Sequence, residues 1–152
     1  MKSKRNKRRK HNTLFIVALM ILFIVSSCKS NDNTELYEDL LGKPKNHCVK
    51  VVTMGERQKF DGPTVHFYFI LCPTELKRIL AQRDYDMKVI VKSEMLHNES
   101  LDFGNPDPKW WTPSKLGDSC FMYTYFAQDI DRAEHLYVSI DSTKAYYRDD
   151  RF

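Results

Sequence analysis

The stretch VHFYFILC, residues 65–72, limits the fold more than any other part of the chain beyond residue 30. It is short, apolar, and rich in aromatic and branched residues. That pattern suits a central strand buried on both faces rather than a helix. Asp61-Gly62-Pro63 breaks the chain just before it, and HCVKVVTM (47–54), rich in valine, predicts a neighbouring strand. After it, CPTELKRILAQRD (72–84) reads as a helix, with Pro73 at the first helical position and Glu75 at the third. Cys72 then falls at the cap, and Leu76, Ile79, Leu80 and Arg83 recur at helical spacing as one stripe for a sheet face.

The rest of the chain adds strands. YDMKVIVKSEM (85–95) predicts one, with Met87, Val89 and Val91 on one side and Lys88, Ile90 and Lys92 on the other. LHNESLDFGNPDPK (96–109) reads as a long polar loop, and KWWTPSKLGDS (109–119) as a mixed segment turning at Gly117-Asp118. CFMYTYFA (120–127) is an aromatic strand, QDIDRAE (128–134) a turn or short helix, and HLYVSIDS (135–142) with KAYYRDD (144–150) a hairpin. Upstream, Glu35–Leu41 predicts a short helix stopped by Gly42 and Pro44. No internal repeat is visible. The expected fold is a single small α+β domain, an antiparallel sheet of about five or six strands with one main helix packed on a face.

The first 30 residues follow different rules. MKSKRNKRRKH holds seven Lys or Arg and no acid, and LFIVALMILFIV (14–25) is twelve apolar residues in a row. Twelve residues make about 18 Å of helix at about 1.5 Å each, short of the roughly 20 residues that cross a bilayer. A basic start, a short apolar run and small residues before a cysteine describe a secretory signal peptide.

Val25-Ser26-Ser27-Cys28 resembles the lipobox of bacterial lipoproteins, with Val where Leu is commonest. The resemblance covers about the first 30 residues. It implies cleavage before Cys28, a diacylglycerol on the Cys28 sulfur and acylation of the new amino group. Two or more acyl chains hold firmly where one binds reversibly. An ordinary signal peptide or an uncleaved N-terminal anchor is the alternative. The resemblance divides the chain into a signal peptide (1–27), a lipid anchor and tether (28–46) and an α+β domain (47–152). It implies a protein held by lipid in the cell membrane or outer membrane, with its domain outside the cytoplasm. The later sequence also resembles small uncharacterised lipoprotein domains, with a helix after a central strand, Trp110-Trp111-Thr112-Pro113 and a C-terminal aromatic hairpin. That resemblance carries no functional residues.

Charge must be counted accordingly. The whole chain has 24 basic and 20 acidic residues, but seven of the basic ones lie in 1–27, so residues 28–152 carry 17 basic against 20 acidic, net −3. A nucleic-acid partner, which wants a basic domain, is not expected. Beyond Cys28 the cysteines are Cys48, Cys72 and Cys120. Three thiols allow at most one internal bridge. The sequence leaves open whether it forms; Cys48–Cys72 is the favoured pair, since both flank neighbouring strands. No CxxC and no zinc-like Cys/His spacing occurs, and no metal or cofactor is expected.

Other motifs weaken on inspection. Asp102-Phe103-Gly104 lacks every companion of the kinase triplet it spells. Asp129, Asp131 and Glu134 offer too few oxygens, and no glycine, for a calcium loop, so a solvated turn is expected. His47, His66, His97 and His135 fall in no hydrolase motif, and no enzyme is expected. Trp110 and Trp111 are the candidate binding residues. Exposed, they would stack on a glycan or anchor a protein partner, with Asp107 and Lys109 as rim groups. Buried, they would plug the core under the loop, and alternation suggests one in and one out.

The function expected is that of a membrane-anchored extracytoplasmic lipoprotein with a binding or scaffolding domain. The alternative is a structural subunit of a cell-envelope complex, or an immunity-type inhibitor. An exposed sheet edge or wide apolar patch would mark the subunit, and a flat aromatic patch at Trp110 and Trp111 the binding module.

Overall fold

The structure, a computed structural model, describes residues 32–45, 47–58, 62–100, 107–127 and 131–152. The signal peptide, Cys28 and Asp102-Phe103-Gly104 lie outside these residues. The folded unit runs from Asn33 to Phe152.

Six strands form one sheet: β1 (Lys50–Gln58), β2 (Pro63–Ile70), β3 (Asp86–Val91), β4 (Ser119–Ala127), β5 (Arg132–Ser139) and β6 (Lys144–Arg151). Their spatial order is β1-β2-β6-β5-β4-β3, and every neighbouring pair is antiparallel. The mixed α+β class and the antiparallel sheet agree with the sequence. The single main helix does not. Among the described residues there are three α-helices, α1 (Asp32–Leu41), α2 (Pro73–Leu80) and α3 (Lys92–Ser100), and a short 3-10 helix at Pro113–Leu116.

β2 is buried on both faces, as its composition predicts. Val65, Phe67 and Phe69 point to one side with Leu136, Val138, Ala145 and Tyr147, and there α1 contributes Tyr37, Leu40 and Leu41 and α2 contributes Leu76 and Ile79. Each such large side chain gains about 1.5–3 kcal/mol on leaving water. The opposite face carries a smaller cluster of Ile90, Met95, Trp111, Cys120, Met122, Tyr137 and Tyr146, covered by α3 and by the segment that holds the tryptophans.

The apolar residues expected in a tether are structural. Leu36, Tyr37, Leu40 and Leu41 form one stripe on α1, and Tyr37 packs edge-on against Phe67 and Phe69. The last carbonyls of α1, which have no partner inside the helix, are met from the end of α2. Arg83 Nη2 donates to Leu40 O (3.2 Å), Gln82 Nε2 to Leu41 O (2.7 Å) and Arg78 Nη2 to Gly42 O (3.1 Å). Gly42 itself has φ +74°, the left-handed turn that ends helices.

α3 replaces the end of the expected third strand and the start of the expected loop. The local reason is one half of a capping box: Glu94, third in the helix, reaches back so that Val91 N–H donates to its Oε2 (3.0 Å). Among the described side chains of this helix only Met95 is buried, so no apolar stripe marks it in the sequence.

Cys48 and Cys72 are joined by a disulfide, and Cys120 is buried as a free thiol. β1 and β2 pair with Lys50 opposite Ile70. Cys48 and Cys72 therefore fall two positions further along, at the open end of the hairpin, and the bridge staples it shut. Closing a loop of this size is worth about 3–4 kcal/mol in the chain-entropy account.

Candidate functional site

Alternation along β2 and β6 aims a polar ladder at the tryptophan face. Thr64 lies opposite Asp150, His66 opposite Arg148, and Tyr68 opposite Tyr146. His66 is fully buried in the middle of the most apolar strand. Its Nε2 is 2.8 Å from Asp107 Oδ1, which places the ring proton there, donated to the carboxylate. Arg148 Nη1 reaches the other Asp107 oxygen at 3.4 Å, and its Nε donates to Asp150 Oδ2 at 2.7 Å. Thr64 Oγ1 donates to Asp150 Oδ1 at 2.9 Å. Arg148 thus spans two carboxylates, the arrangement that makes buried acids tolerable. Among the described residues His66 Nδ1 has no partner.

The tryptophans close this ladder. Trp111 is buried and meets His66, Tyr137 and Tyr146 edge-on, with centroids 4.8, 6.0 and 5.4 Å away. Trp110 is half-buried and lies over β1, where a Cβ added to Gly55 would come within 3.3 Å of its ring. The turn is held by Trp111 N–H donating to Pro108 O (2.7 Å). It is also held by α3, whose Glu99 accepts from Ser114 N–H (2.7 Å) and Ser114 Oγ (3.2 Å). Alternation correctly suggests one ring in and one further out, but both pack. Asp107, expected at a binding rim, faces inward at 5% exposure; Lys109 is exposed.

His135, opposite Arg148 on β5, faces the same ladder. Burial lowers its pKa, Asp150 works to raise it, and Arg148 and Lys88 lower it further. The imidazole is therefore held neutral.

The helix face carries a second buried charge group. Glu134 and Asp149 lie directly opposite each other on β5 and β6, a repulsive pair by itself. Arginines surround it: Arg83 contacts Glu134, Arg132 reaches Glu134 at 3.0 Å and Asp149 at 2.5 Å, and Arg151 meets Asp149 at 3.2 Å. Burial disfavours the charge on Arg83, but Glu134, Tyr147 and Tyr85 together more than offset it and raise its pKa. Tyr85 donates to Glu134 at 2.8 Å, and burial followed by that carboxylate raises its pKa. Glu134, expected in a solvated turn, is thus a core ion-pair partner on β5. Asp131 stays exposed, and Asp129 lies outside the described residues.

The Thr64 hydroxyl donates to Asp150. The Cys120 thiol donates to Met95 Sδ (3.3 Å), and burial pushes its pKa up to about 11. No cluster of three metal-ligating side chains occurs among the described residues. Both networks brace the fold.

The feature that faces outward is β3, the last strand of the sheet. Lys92 N–H donates to Asp118 O (2.9 Å), and the register continues this as Ile90 opposite Cys120 and Lys88 opposite Met122. Antiparallel hydrogen bonding alternates, so the main-chain groups of Met87 and Val89 point away from the sheet. Their side chains, with that of Val91, lie on the helix face beyond the reach of the helices and are 56%, 56% and 49% exposed. The sequence placed these three on one side correctly, but that side is open rather than buried.

The chain matches no protein-family model, no curated protein and no solved structure.

Proposed function

We propose that this chain is a membrane-anchored extracytoplasmic lipoprotein, held by lipid on Cys28, whose domain binds or scaffolds a protein partner through the β3 edge. The observation that carries the binding part is the row Met87, Val89 and Val91, exposed beside outward-facing main-chain groups. An exposed apolar strand edge is a template for another strand, and soluble folds usually blunt it. Its presence favours the envelope-complex subunit among the alternatives. The burial of Trp111 lends no support to a paired aromatic platform for a glycan. The Cys48–Cys72 bridge supports the location, because disulfides persist in oxidising compartments outside the cytoplasm.

Intact mass and membrane partitioning of protein purified from its own host, wild type against Cys28→Ala, test the anchor. The expected wild type begins at Cys28, carries acyl mass and pellets with membranes, and the variant does none of these. A wild type that keeps residues 1–27, or is soluble and unmodified, overturns the anchored reading.

A further inference from the structure

We infer that the partner at the β3 edge is a second copy of this chain, with β3 pairing antiparallel to β3 about a two-fold axis at Val89. The inference rests on the β3 edge being the docking surface, and it adds what docks there and in which register.

A two-fold pairing of identical antiparallel edges joins like face to like face. It also places opposite each other residues whose numbers have a constant even sum. Centred on Val89, the pairs are Val89 with Val89, Met87 with Val91, Lys88 with Ile90, and Asp86 with Lys92. All three exposed apolar residues of each copy are then covered by those of the other. Asp86 and Lys92, both exposed, form unlike pairs at the two ends of the strip. The outward main-chain groups of Val89 face their own counterparts.

Adjacent registers are worse. Centred on Lys88, the strand sets Lys88 against Lys88. Centred on Ile90, it sets Lys88 against Lys92 and Asp86 against Glu94. Like charges directly opposite are destabilising. Centred on Met87, the strand leaves Val91 uncovered. The charge pattern of DMKVIVK therefore selects one register.

The contact is small. One six-residue strand from each copy falls short of the roughly 1,200 Å² of a stable interface. Pairing is accordingly weak in dilute solution and is favoured where anchoring confines both copies to one bilayer and raises their effective concentration.

The test uses the full chain in host membranes. A cysteine at Val89 faces its own copy at about 5 Å between Cβ atoms, close enough to be oxidised to an intermolecular disulfide. Native thiols interfere little, since Cys48 and Cys72 are bridged and Cys120 is buried. Under mild copper–phenanthroline oxidation, Val89→Cys is expected to give a band at twice the chain mass. Val52→Cys, also exposed but on the opposite edge β1, is expected to stay monomeric. On the Val89→Cys background, Asp86→Lys alone or Lys92→Asp alone should lower the dimer yield up to about fivefold, and the two together should restore it. A monomeric Val89→Cys, equal yields from both edges, or no rescue by the double swap overturns the inference. A Val89→Cys adduct with a different protein overturns the second copy as occupant while leaving the β3 docking surface standing.

Discussion

The sheet has two edges, and they are finished in opposite ways. β1 is nine residues long, yet its register slips between Val51 and Thr53, where Val52 is an extra residue that twists the edge. Trp110 lies over Gly55, a disulfide staples the end of the strand, and Glu56 and Arg57 add charge. These are the devices by which folded proteins keep an edge from recruiting strangers. β3 shares only the charge, in Asp86 and Lys88, and has no bulge, covering ring or staple. Its register runs without a shift from Asp86 to Val91, and its exposed side presents Met, Val and Val. One edge is closed and the other is left open, within a single sheet under the same folding pressures. An edge left bare beside one so thoroughly covered is better explained by an interaction than by neglect.

The comparison can be broken at its closed side first. Trp111→Ala removes the ring that joins His66, Tyr137 and Tyr146, and should cost about 3–5 kcal/mol in urea unfolding. A loss under 1 kcal/mol would mean the tryptophan segment rides on the sheet without securing it. Replacing both Cys48 and Cys72 by Ala should cost about 3–4 kcal/mol and speed amide exchange in β1 beyond that in β3. If β1 remains the slower edge, Trp110 secures it rather than the bridge. Gly55→Val drives side-chain atoms into the Trp110 ring and should cost about 1–3 kcal/mol. Stability unchanged there would show that Trp110 lifts away freely. The smallest effect is expected at the open edge. Val89→Lys should change stability by no more than about 0.5 kcal/mol, while removing any pairing through β3. A larger loss than that of Gly55→Val would make β3 part of the core and dissolve the contrast.

Local signals in the chain were readable where they were strong. Val65, Phe67 and Phe69, alternating with His66 and Tyr68, announced a strand buried on both sides. Cys72 and Pro73 marked the start of α2, and HLYVSIDS with KAYYRDD marked the last hairpin. α3 was hidden because its cap is a single Glu94 and its buried side a single Met95. The networks were hidden for a different reason. Asp107 reads as a loop acid and Glu134 as a turn acid until β6 brings Arg148 beside the first, and Arg83 and Arg132 meet the second. One hint was available: a histidine in the middle of an apolar strand needs a polar partner, and His66 has Asp107.

By itself the sequence determined which segments extend, which side of each strand is apolar and where the chain must turn. Those properties follow from period-two alternation, branched side chains and Gly or Pro breakers, all of which act within a few residues. It also limited the cysteines beyond Cys28 to one bridge among themselves. The tertiary structure alone decided that Cys48 and Cys72 form it, that Trp111 goes inside, and that β3 rather than β2 stands at an end of the sheet. Such choices depend on which strands become neighbours across distant positions of chain, as when Val65 meets Asp149. A strand with one apolar side reads the same in sequence whether that side meets a helix or meets water. Met87, Val89 and Val91 met water because α1 and α2 cover the other end of the sheet.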